Sequence, residues 1–123
     1  MGMKFFFDSY ALIEHVKGNP KYYKYLDSEV FITVFNQCEF IYAILNYFGE
    51  DKAEGMSRLF EDCIIPVDTA TLYEASLFRR QHKRSNFSYA DSVGYITAKR
   101  NGLRFLTGDE QFRDLPNVEF VKM

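Results

Sequence analysis

The sequence contains no tryptophan, only two cysteines and only three prolines among its 123 residues. Cys38 and Cys63 lie far apart in apolar contexts, which predicts buried free thiols in a reducing cytoplasm rather than a zinc site. No apolar stretch is long enough to span a bilayer, and no signal-peptide pattern precedes the first predicted strand. We therefore expect a soluble cytoplasmic protein that does not act at a membrane.

Strong charge of either sign is also absent, since the formal net charge is −2. A polyanionic partner must therefore be held by a local basic patch or by metal ions. The chain has no glycine-rich phosphate loop and no serine in a nucleophile-elbow setting. His15 and His82 lack the spacing of metal ligands, so neither is assigned to catalysis.

Hydrophobic and aromatic residues are abundant, at 47% and 18% of the chain. Such a chain has enough apolar surface for one core, so residues 1–123 are predicted to form a single domain. The 13 phenylalanines and nine tyrosines exceed what so small a core easily hides. Some of them are expected to cover a subunit interface.

Five short apolar runs alternate with segments that carry apolar residues at helical spacing. The runs occupy residues 3–7, 30–34, 63–67, 103–107 and 117–121. The first run is apolar throughout, as in a strand buried on both faces, whereas Pro66 places the third at or near a sheet edge. This alternation predicts an α/β fold, a three-layer α/β/α sandwich with a mostly parallel five-stranded sheet.

Four acidic residues are predicted to meet at the carboxyl edge of this sheet. Asp8 and Asp109 directly follow apolar strands, and Glu39 and Asp91 lie in the first turns of helices. Gly94, one turn after Asp91, would let its helix sit close to the sheet. Uncompensated carboxylates repel one another, and a hard cation such as Mg²⁺ or Mn²⁺ would remove that conflict.

Each acid also has a purely structural interpretation. The only role of Asp8 could be to cap the first helix, and Asp109 could be a turn residue. The other two acids have the spacing of a helix cap and its reciprocal acid, in the pairs Asn36 with Glu39 and Ser88 with Asp91.

One dense basic cluster precedes Asp91 in the chain. It contains Arg79, Arg80, Lys83 and Arg84, and aromatic residues follow it at Phe87 and Tyr89. Phosphate contacts combined with aromatic stacking would suit single-stranded or looped RNA. The alternative is a solvated helix end, where positive charge is also favoured.

Four segments taken together resemble the PIN domain family, in particular its small VapC-type ribonuclease toxins. The segments are Phe-Phe-Phe-Asp-Ser-Tyr-Ala-Leu-Ile at 5–13, Ile-Thr-Val-Phe-Asn-Gln-Cys-Glu-Phe at 32–40, Ser-Tyr-Ala-Asp-Ser at 88–92 and Leu-Thr-Gly-Asp-Glu-Gln-Phe at 106–112. Each is weak alone, but they occur in the family's order along nearly the whole chain. Two positions depart from the pattern: Gly108 stands where Asn is common, and Gln111 replaces a frequent Asp.

The resemblance implies a metal-dependent endoribonuclease with the first strand central in the sheet. Its metal-binding and catalytic residues would be Asp8, Glu39, Asp91 and Asp109, with Mg²⁺ or Mn²⁺ as the cofactor. Ser9 or Thr107 would orient a carboxylate or a water molecule. The family also implies a homodimer and a small antitoxin partner that blocks the site.

Two rival functions remain open at this point. In a phospho-receiver signalling domain, Asp68 would be the phosphoacceptor after the third strand. Against this, the chain is predicted to end in a strand, and Ser9 follows Asp8 where a second acid is usual. The other rival is a catalytically idle PIN-like module that binds protein.

Overall fold

A computed structural model describes residues 3–122. Its strands are β1 (Lys4–Phe7), β2 (Glu29–Phe31), β3 (Arg104–Thr107) and β4 (Val118–Phe120). They form one sheet in the order β2-β1-β3-β4, and every neighbouring pair is parallel. The first strand is therefore an interior strand, as expected.

Five α-helices connect or follow the strands. They are α1 (Ser9–Val16), α2 (Val34–Phe48), α3 (Glu50–Met56), α4 (Thr69–Gln81) and α5 (Tyr89–Arg100). Shorter 3₁₀ helices occupy Pro20–Tyr25, Glu61–Cys63 and Glu110–Phe112. None of the helices within residues 3–122 combines the length and hydropathy needed to cross a bilayer.

Three consecutive phenylalanines in β1 divide the core into two layers. Phe5 and Phe7 belong to a cluster formed with α1, α2 and α3, whereas Phe6 belongs to a cluster formed with α4 and α5. Side chains alternate between the faces of a strand, so a run that is apolar at every position must be covered on both sides. The structure thus confirms the predicted three-layer α/β/α arrangement.

Gly94 sets how closely α5 approaches the sheet. A Cβ atom at this position would lie 2.9 Å from Phe6 Cε1 and 3.1 Å from Phe6 Cζ. These separations are shorter than ordinary carbon contacts, so a side chain here would push the helix away. The close packing predicted for Gly94 is confirmed, and it brings the first turn of α5 toward the edge of the sheet.

Of the five predicted strands, the third, at residues 63–67, does not form. The segment makes a single parallel bridge between Ile64 and Ile32, with Ile32 N–H donating to Cys63 O and Ile65 N–H to Ile32 O. The pairing stops because the chain leaves β2 for α2 at Thr33, and because Pro66 has no N–H to donate. Among residues 3–122 the sheet therefore has four strands, and the predicted strand is reduced to a bridge at its β2 edge.

The start of α2 also differs from the prediction. The strand expected to reach residue 34 ends at Phe31, and Thr33 rather than Asn36 caps the helix. Asn36 occupies the third helical position, where its Oδ1 accepts hydrogen bonds from Thr33 N–H and Thr33 Oγ1 at 3.0 and 2.8 Å. Thr33 and Asn36 thus form the reciprocal cap that had been predicted for Asn36 and Glu39.

The cysteines are free, as predicted, but the prediction that both are buried is wrong. Cys38 is exposed on α2, and Cys63 is half-buried in a 3₁₀ helix. Cys38 is one helical turn from both Val34 and Tyr42, which are also exposed, so it lies on the face of α2 opposite the buried Phe40 and Ile44.

Candidate active site

A cleft of about 650 Å³ lies beside the carboxyl ends of β1 and β3. Its polar lining comes from the residues after β1, from α2, from the start of α5 and from the residues after β3. The residues that supply it are Asp8, Ser9, Tyr10, Glu39, Ser88, Asp91, Asp109 and Glu110. The structure therefore brings all four predicted acids to one cleft.

Asp8 is the most deeply buried of the four acids, with 2% of its surface exposed. Its Oδ1 accepts a hydrogen bond from Ala11 N–H at 2.8 Å, and its Oδ2 accepts one from the Thr107 hydroxyl. Burial raises the pKa of Asp8 to about 7, and the nearby charges of Asp91 and Asp109 act in the same direction. The two hydrogen bonds oppose this rise only in part, so Asp8 holds its proton far more readily than an ordinary aspartate.

Asp91 both caps a helix and lines the cleft. Its Oδ2 accepts from Ser88 N–H at 2.8 Å, while Asp91 N–H donates to Ser88 Oγ at 3.0 Å. The predicted reciprocal cap is therefore present. Burial nevertheless raises the pKa of Asp91 despite these bonds, and the charges of Asp109 and Glu39 contribute to the rise. The acids influence one another electrostatically across the cleft.

Glu39 takes no part in the cap of α2, because Asn36 fills that role. Instead, Ser9 Oγ donates a 2.6 Å hydrogen bond to Glu39 Oε1, and Asn36 Nδ2 donates to Ser9 Oγ at 3.2 Å. The Thr33–Asn36 cap, Ser9 and Glu39 thus form one connected network. This network holds Glu39 toward the residue that follows Asp8.

Asp109 is held by the residue two positions later. Gln111 N–H donates to Asp109 Oδ1 at 3.0 Å, and Gln111 Nε2 donates to Asp109 Oδ2 at 3.2 Å. The Gln111 side chain also contacts the loop before α5, where its Oε1 accepts a hydrogen bond from Asn86 N–H and its Nε2 lies 3.5 Å from Asn86 O. An aspartate at position 111 could not donate either side-chain bond. Sequence reasoning treated Gln111 only as a lost carboxylate and missed this bridge.

Gly108 leaves no space for the asparagine that is common in the resembling family. A Cβ atom here would lie 2.5 Å from Tyr10 Cε1 and 3.1 Å from the Tyr22 hydroxyl oxygen. Tyr22 is buried, and its hydroxyl has no hydrogen-bond partner among the described residues. The two tyrosines therefore occupy the volume that a larger residue would fill, which accounts physically for this departure.

The donor chemistry of the cleft fits a hard divalent cation. Carboxylate and hydroxyl oxygens dominate its polar lining, and none of the lining residues is a lysine or arginine. Within residues 3–122, however, no three His, Cys, Asp or Glu side chains stand as a group that could hold a metal. Metal binding would therefore require these carboxylates to turn toward a shared point.

The predicted basic cluster divides into members with different surroundings. Arg79, Arg80 and Lys83 line a second cavity, of about 590 Å³, between the end of α4 and the start of α5. Arg84 is exposed but does not line it. Arg79 Nε donates to Phe87 O at 3.0 Å, and its guanidinium lies 4.3 Å from the centre of the Tyr89 ring.

Asp68, the acid required by the phospho-receiver interpretation, lies outside the cleft. It caps α4, where its Oδ1 accepts from Thr71 N–H at 2.9 Å and from the Thr71 hydroxyl at 2.6 Å. Within residues 3–122 no helix follows β4. The structure thus gives Asp68 a structural role at the start of α4, away from the cleft that holds the other acids.

The fold and cleft define a parallel α/β protein with an acidic centre at the carboxyl edge of its sheet. The PIN domain model matches residues 5–118, so the chain belongs to the PIN domain family. Comparison with curated proteins gave no match.

Two solved structures share this fold at low sequence identity. A chain of a toxin–antitoxin complex from Klebsiella pneumoniae aligns with a TM-score of 0.76 and 18% identity, covering 97% of this chain and 99% of that one. A chain of the FitAcB structure from Neisseria gonorrhoeae aligns with a TM-score of 0.63 and 19% identity, covering 87% and 88%. At these identities the likeness establishes the fold.

Proposed function

We propose that the protein is an endoribonuclease that depends on Mg²⁺ or Mn²⁺ and hydrolyses RNA phosphodiester bonds in the acidic cleft. The observation that carries this proposal is the convergence of Asp8, Glu39, Asp91 and Asp109 on a cleft lined by no cationic residue. Mutually repelling, partly buried carboxylates are costly unless a cation neutralises them. When bound, the metal would supply an activated water and would neutralise charge on the attacked phosphate.

Each acid has a proposed role that follows from its position. Asp8 and Asp91 are the direct ligands, since burial and neighbouring charge leave both most in need of a cation. Glu39 and Asp109 complete the shell, directly or through water. Ser9 and Thr107 hold Glu39 and Asp8 in place through the hydrogen bonds that they donate.

The same proposal includes the biological setting. The protein would act on cytoplasmic RNA as the toxin of a toxin–antitoxin pair, which the similarity to a chain of a named toxin–antitoxin complex supports. A cationic antitoxin side chain would suit the acidic cleft. Exposed apolar side chains on α2, with Val34, Tyr42 and Leu45 54%, 69% and 39% accessible, support a homodimer interface.

A second candidate is a catalytically idle PIN-like module that binds protein. The observation that favours it is the absence, within residues 3–122, of a ready-made group of metal-binding side chains. This candidate predicts that the carboxylates either bind no metal or bind it without cleaving RNA.

Thermal stability against Mn²⁺ concentration tests the proposal first, in wild type, Asp8→Asn and Glu39→Gln. The matched control is Asp68→Asn, because Asp68 also caps a helix and asparagine caps equally well. Saturating Mn²⁺ should raise the wild-type melting temperature by about 5 °C or more. Asp68→Asn should keep this shift, whereas Asp8→Asn and Glu39→Gln should lose most of it.

RNA cleavage by the same four proteins then separates the two candidates. Wild type and Asp68→Asn should cut RNA only with Mg²⁺ or Mn²⁺, and Asp8→Asn should be slower by at least about 100-fold, since ligand loss should exceed the effect of losing an orienting partner. A shift with Mn²⁺ but no cleavage would favour the idle module. No shift in wild type would refute the proposed metal site.

A further inference from the structure

The cavity between α4 and α5 combines positive charge with an exposed aromatic ring. Arg79, Arg80, Lys83 and Tyr89 line it, and 67% of Tyr89 is exposed. Its volume is about 590 Å³. Within residues 3–122, Arg80 and Lys83 form no ion pair with an acid. Both side chains are therefore available to bind an anion.

Arg79, unlike Arg80 and Lys83, is held in place by contacts within the protein. Its bond to Phe87 O fixes the guanidinium, which lies 4.3 Å from the Tyr89 ring centre. A guanidinium plane beside one face of an aromatic ring restrains the ring and leaves the other face open. Arg79 therefore positions Tyr89.

The cavity is joined to the acidic cleft at two points. Ser88 lies between Phe87 and Tyr89 in the chain and bonds reciprocally to Asp91. On the other side, Gln111 bonds to the backbone of Asn86 and to the Asp109 carboxylate. Residues 86–91 thus supply lining residues to both sites, so the two sites are neighbours along this segment.

We propose that this cavity is a subsite for single-stranded RNA, next to the phosphate that the carboxylate cleft attacks. Arg80 and Lys83 contact backbone phosphates, and an unstacked base lies on the free face of Tyr89. The inference rests on the proposed ribonuclease function and assigns the part of the substrate that lies outside the cleft. The subsite also offsets an electrostatic problem, because the cleft alone repels a polyanion unless metal is bound.

Single-stranded RNA is the ligand that this combination of groups fits. Stacking on an aromatic side chain requires a base that is not already stacked in a duplex. Two exposed cations, one in the last turn of α4 and one just beyond it, match the repeated phosphates of a flexible strand. The arrangement should therefore favour single strands and looped RNA over duplexes.

Fluorescence anisotropy with a labelled RNA strand of about 12 nucleotides tests binding at this subsite. All proteins carry Asp8→Asn, which prevents cleavage of the probe. The test variant is Arg80→Gln/Lys83→Gln. Its matched control is Lys52→Gln/Arg58→Gln, which removes one lysine and one arginine from exposed positions that line neither site.

The test variant should bind the strand at least about 10-fold more weakly, and the slope of log K against log salt should fall by about 1.4. The control should stay within about 2-fold of its parent, since its charges lie elsewhere. Tyr89→Ala should also weaken binding about 10-fold, whereas Tyr89→Phe, which keeps the ring, should not. Equal affinity in the test variant and its control would overturn the subsite.

Hydrolysis of bis(p-nitrophenyl) phosphate with Mn²⁺ separates failure of the subsite from failure of the proposed function. In proteins that retain Asp8, the test variant should cut RNA more slowly but keep wild-type activity on this ester, which has neither a second phosphate nor a nucleobase for the subsite to bind. If RNA cleavage is also unchanged, the subsite is wrong and the nuclease stands. If wild type hydrolyses neither substrate, the proposed function fails, and the anisotropy result alone decides the binding site.

Discussion

Asp8 and Asp68 begin two helices through the same local contact, a hydrogen bond from the backbone N–H three residues later. Asp8 accepts from Ala11 N–H at 2.8 Å, and Asp68 accepts from Thr71 N–H at 2.9 Å. Each aspartate also accepts a hydrogen bond from a threonine hydroxyl. The donor is Thr107 for Asp8 and Thr71 for Asp68. From the caps alone, the two aspartates are nearly equivalent.

Their surroundings give them opposite acid–base behaviour. Asp8 is buried beside two other acids, and its pKa is raised to about 7. Asp68 is exposed, and the hydrogen bonds from Thr71 lower its pKa, with Arg100 also favouring the charged form. A helix cap is thus a local property, whereas suitability for a metal site depends on burial and on which charges lie nearby.

The comparison extends to the other acids of the cleft. Asp109 caps the 3₁₀ helix at Glu110–Phe112, and Asp91 completes the cap of α5. Capping and a place in the candidate site are therefore compatible at all three aspartates. The physical reason is that in this parallel α/β fold the helices after β1 and β3 start at the carboxyl edge of the sheet, where the cleft lies. Helix α5 starts at the same edge, because it runs back across the sheet to the beginning of β3.

Removing the Asp8 carboxylate should change how stability depends on pH. The folded-state pKa of about 7 exceeds the unfolded value of 3.8, so between these pH values the unfolded chain has released a proton that the folded chain retains. The free energy of unfolding without metal should fall as pH rises through this range, by up to about 1.4 kcal/mol per pH unit from Asp8 alone. Asp91 adds to this fall, because its pKa is also raised.

Urea unfolding in EDTA at a series of pH values measures this slope. Asp8→Asn should flatten it between roughly pH 4 and pH 7. Asp68→Asn should leave it unchanged there, because a lowered pKa gives stability that is lost only as pH falls below the unfolded value of 3.8. An unaltered slope in Asp8→Asn would show that Asp8 is not the group that retains the proton.

The threonine hydroxyls at the two caps should also differ in effect. Thr107→Val removes a hydrogen bond that lowers the pKa of Asp8 and leaves Asp109 N–H without its partner at 3.0 Å. RNA cleavage should fall about 10-fold, with the pH optimum shifted upward. Thr71→Val should lower the melting temperature slightly and leave cleavage and its pH profile unchanged. Equal cleavage by the two variants would contradict the proposed orienting role of Thr107.

The smallest effect is expected at Gln111, whose amide supports the cap residue Asp109. Gln111→Glu loses the side-chain donor to Asp109 and adds a negative charge, whereas Gln111→Met loses all three side-chain hydrogen bonds without changing charge. Both variants should cut RNA about 3-fold to 10-fold more slowly than wild type, because the Gln111 amide orients Asp109 and the segment that begins at Asn86. A wild-type rate in Gln111→Met, with loss only in Gln111→Glu, would show that charge matters and the bridge does not.

Several features were predictable because they depend on short-range pattern. The apolar run before Asp8 indicated a strand buried on both faces, and Gly94 indicated close packing of α5 on that strand. The order of strands and helices placed four acids at one sheet edge, and the structure finds them lining one cleft. Their roles as metal ligands remain a proposal.

The errors arose where two local preferences competed. Residues 63–67 have strand-like composition, but within residues 3–122 they pair only with Ile32, at the point where the chain leaves β2. At the start of α2, both Thr33 and Asn36 are suitable caps, and the end of β2 decided in favour of Thr33. Length and composition cannot reveal where a neighbouring element stops.

The sequence by itself determined most of the alternation of strands and helices and the positions of the acids along the chain, because each depends on neighbours within a few residues. The parallel sheet was predictable from that alternation, since parallel strands need a crossover connection, which is usually a helix. Only the tertiary structure decided the rest. The tertiary structure gave Asp8 and Asp68 opposite shifts in pKa. It paired Glu39 with Ser9 instead of with a helix cap, and it linked Asp109 to the basic cavity through Gln111. These differences depend on burial and on contacts between segments far apart in the chain, and neither is encoded in a local motif.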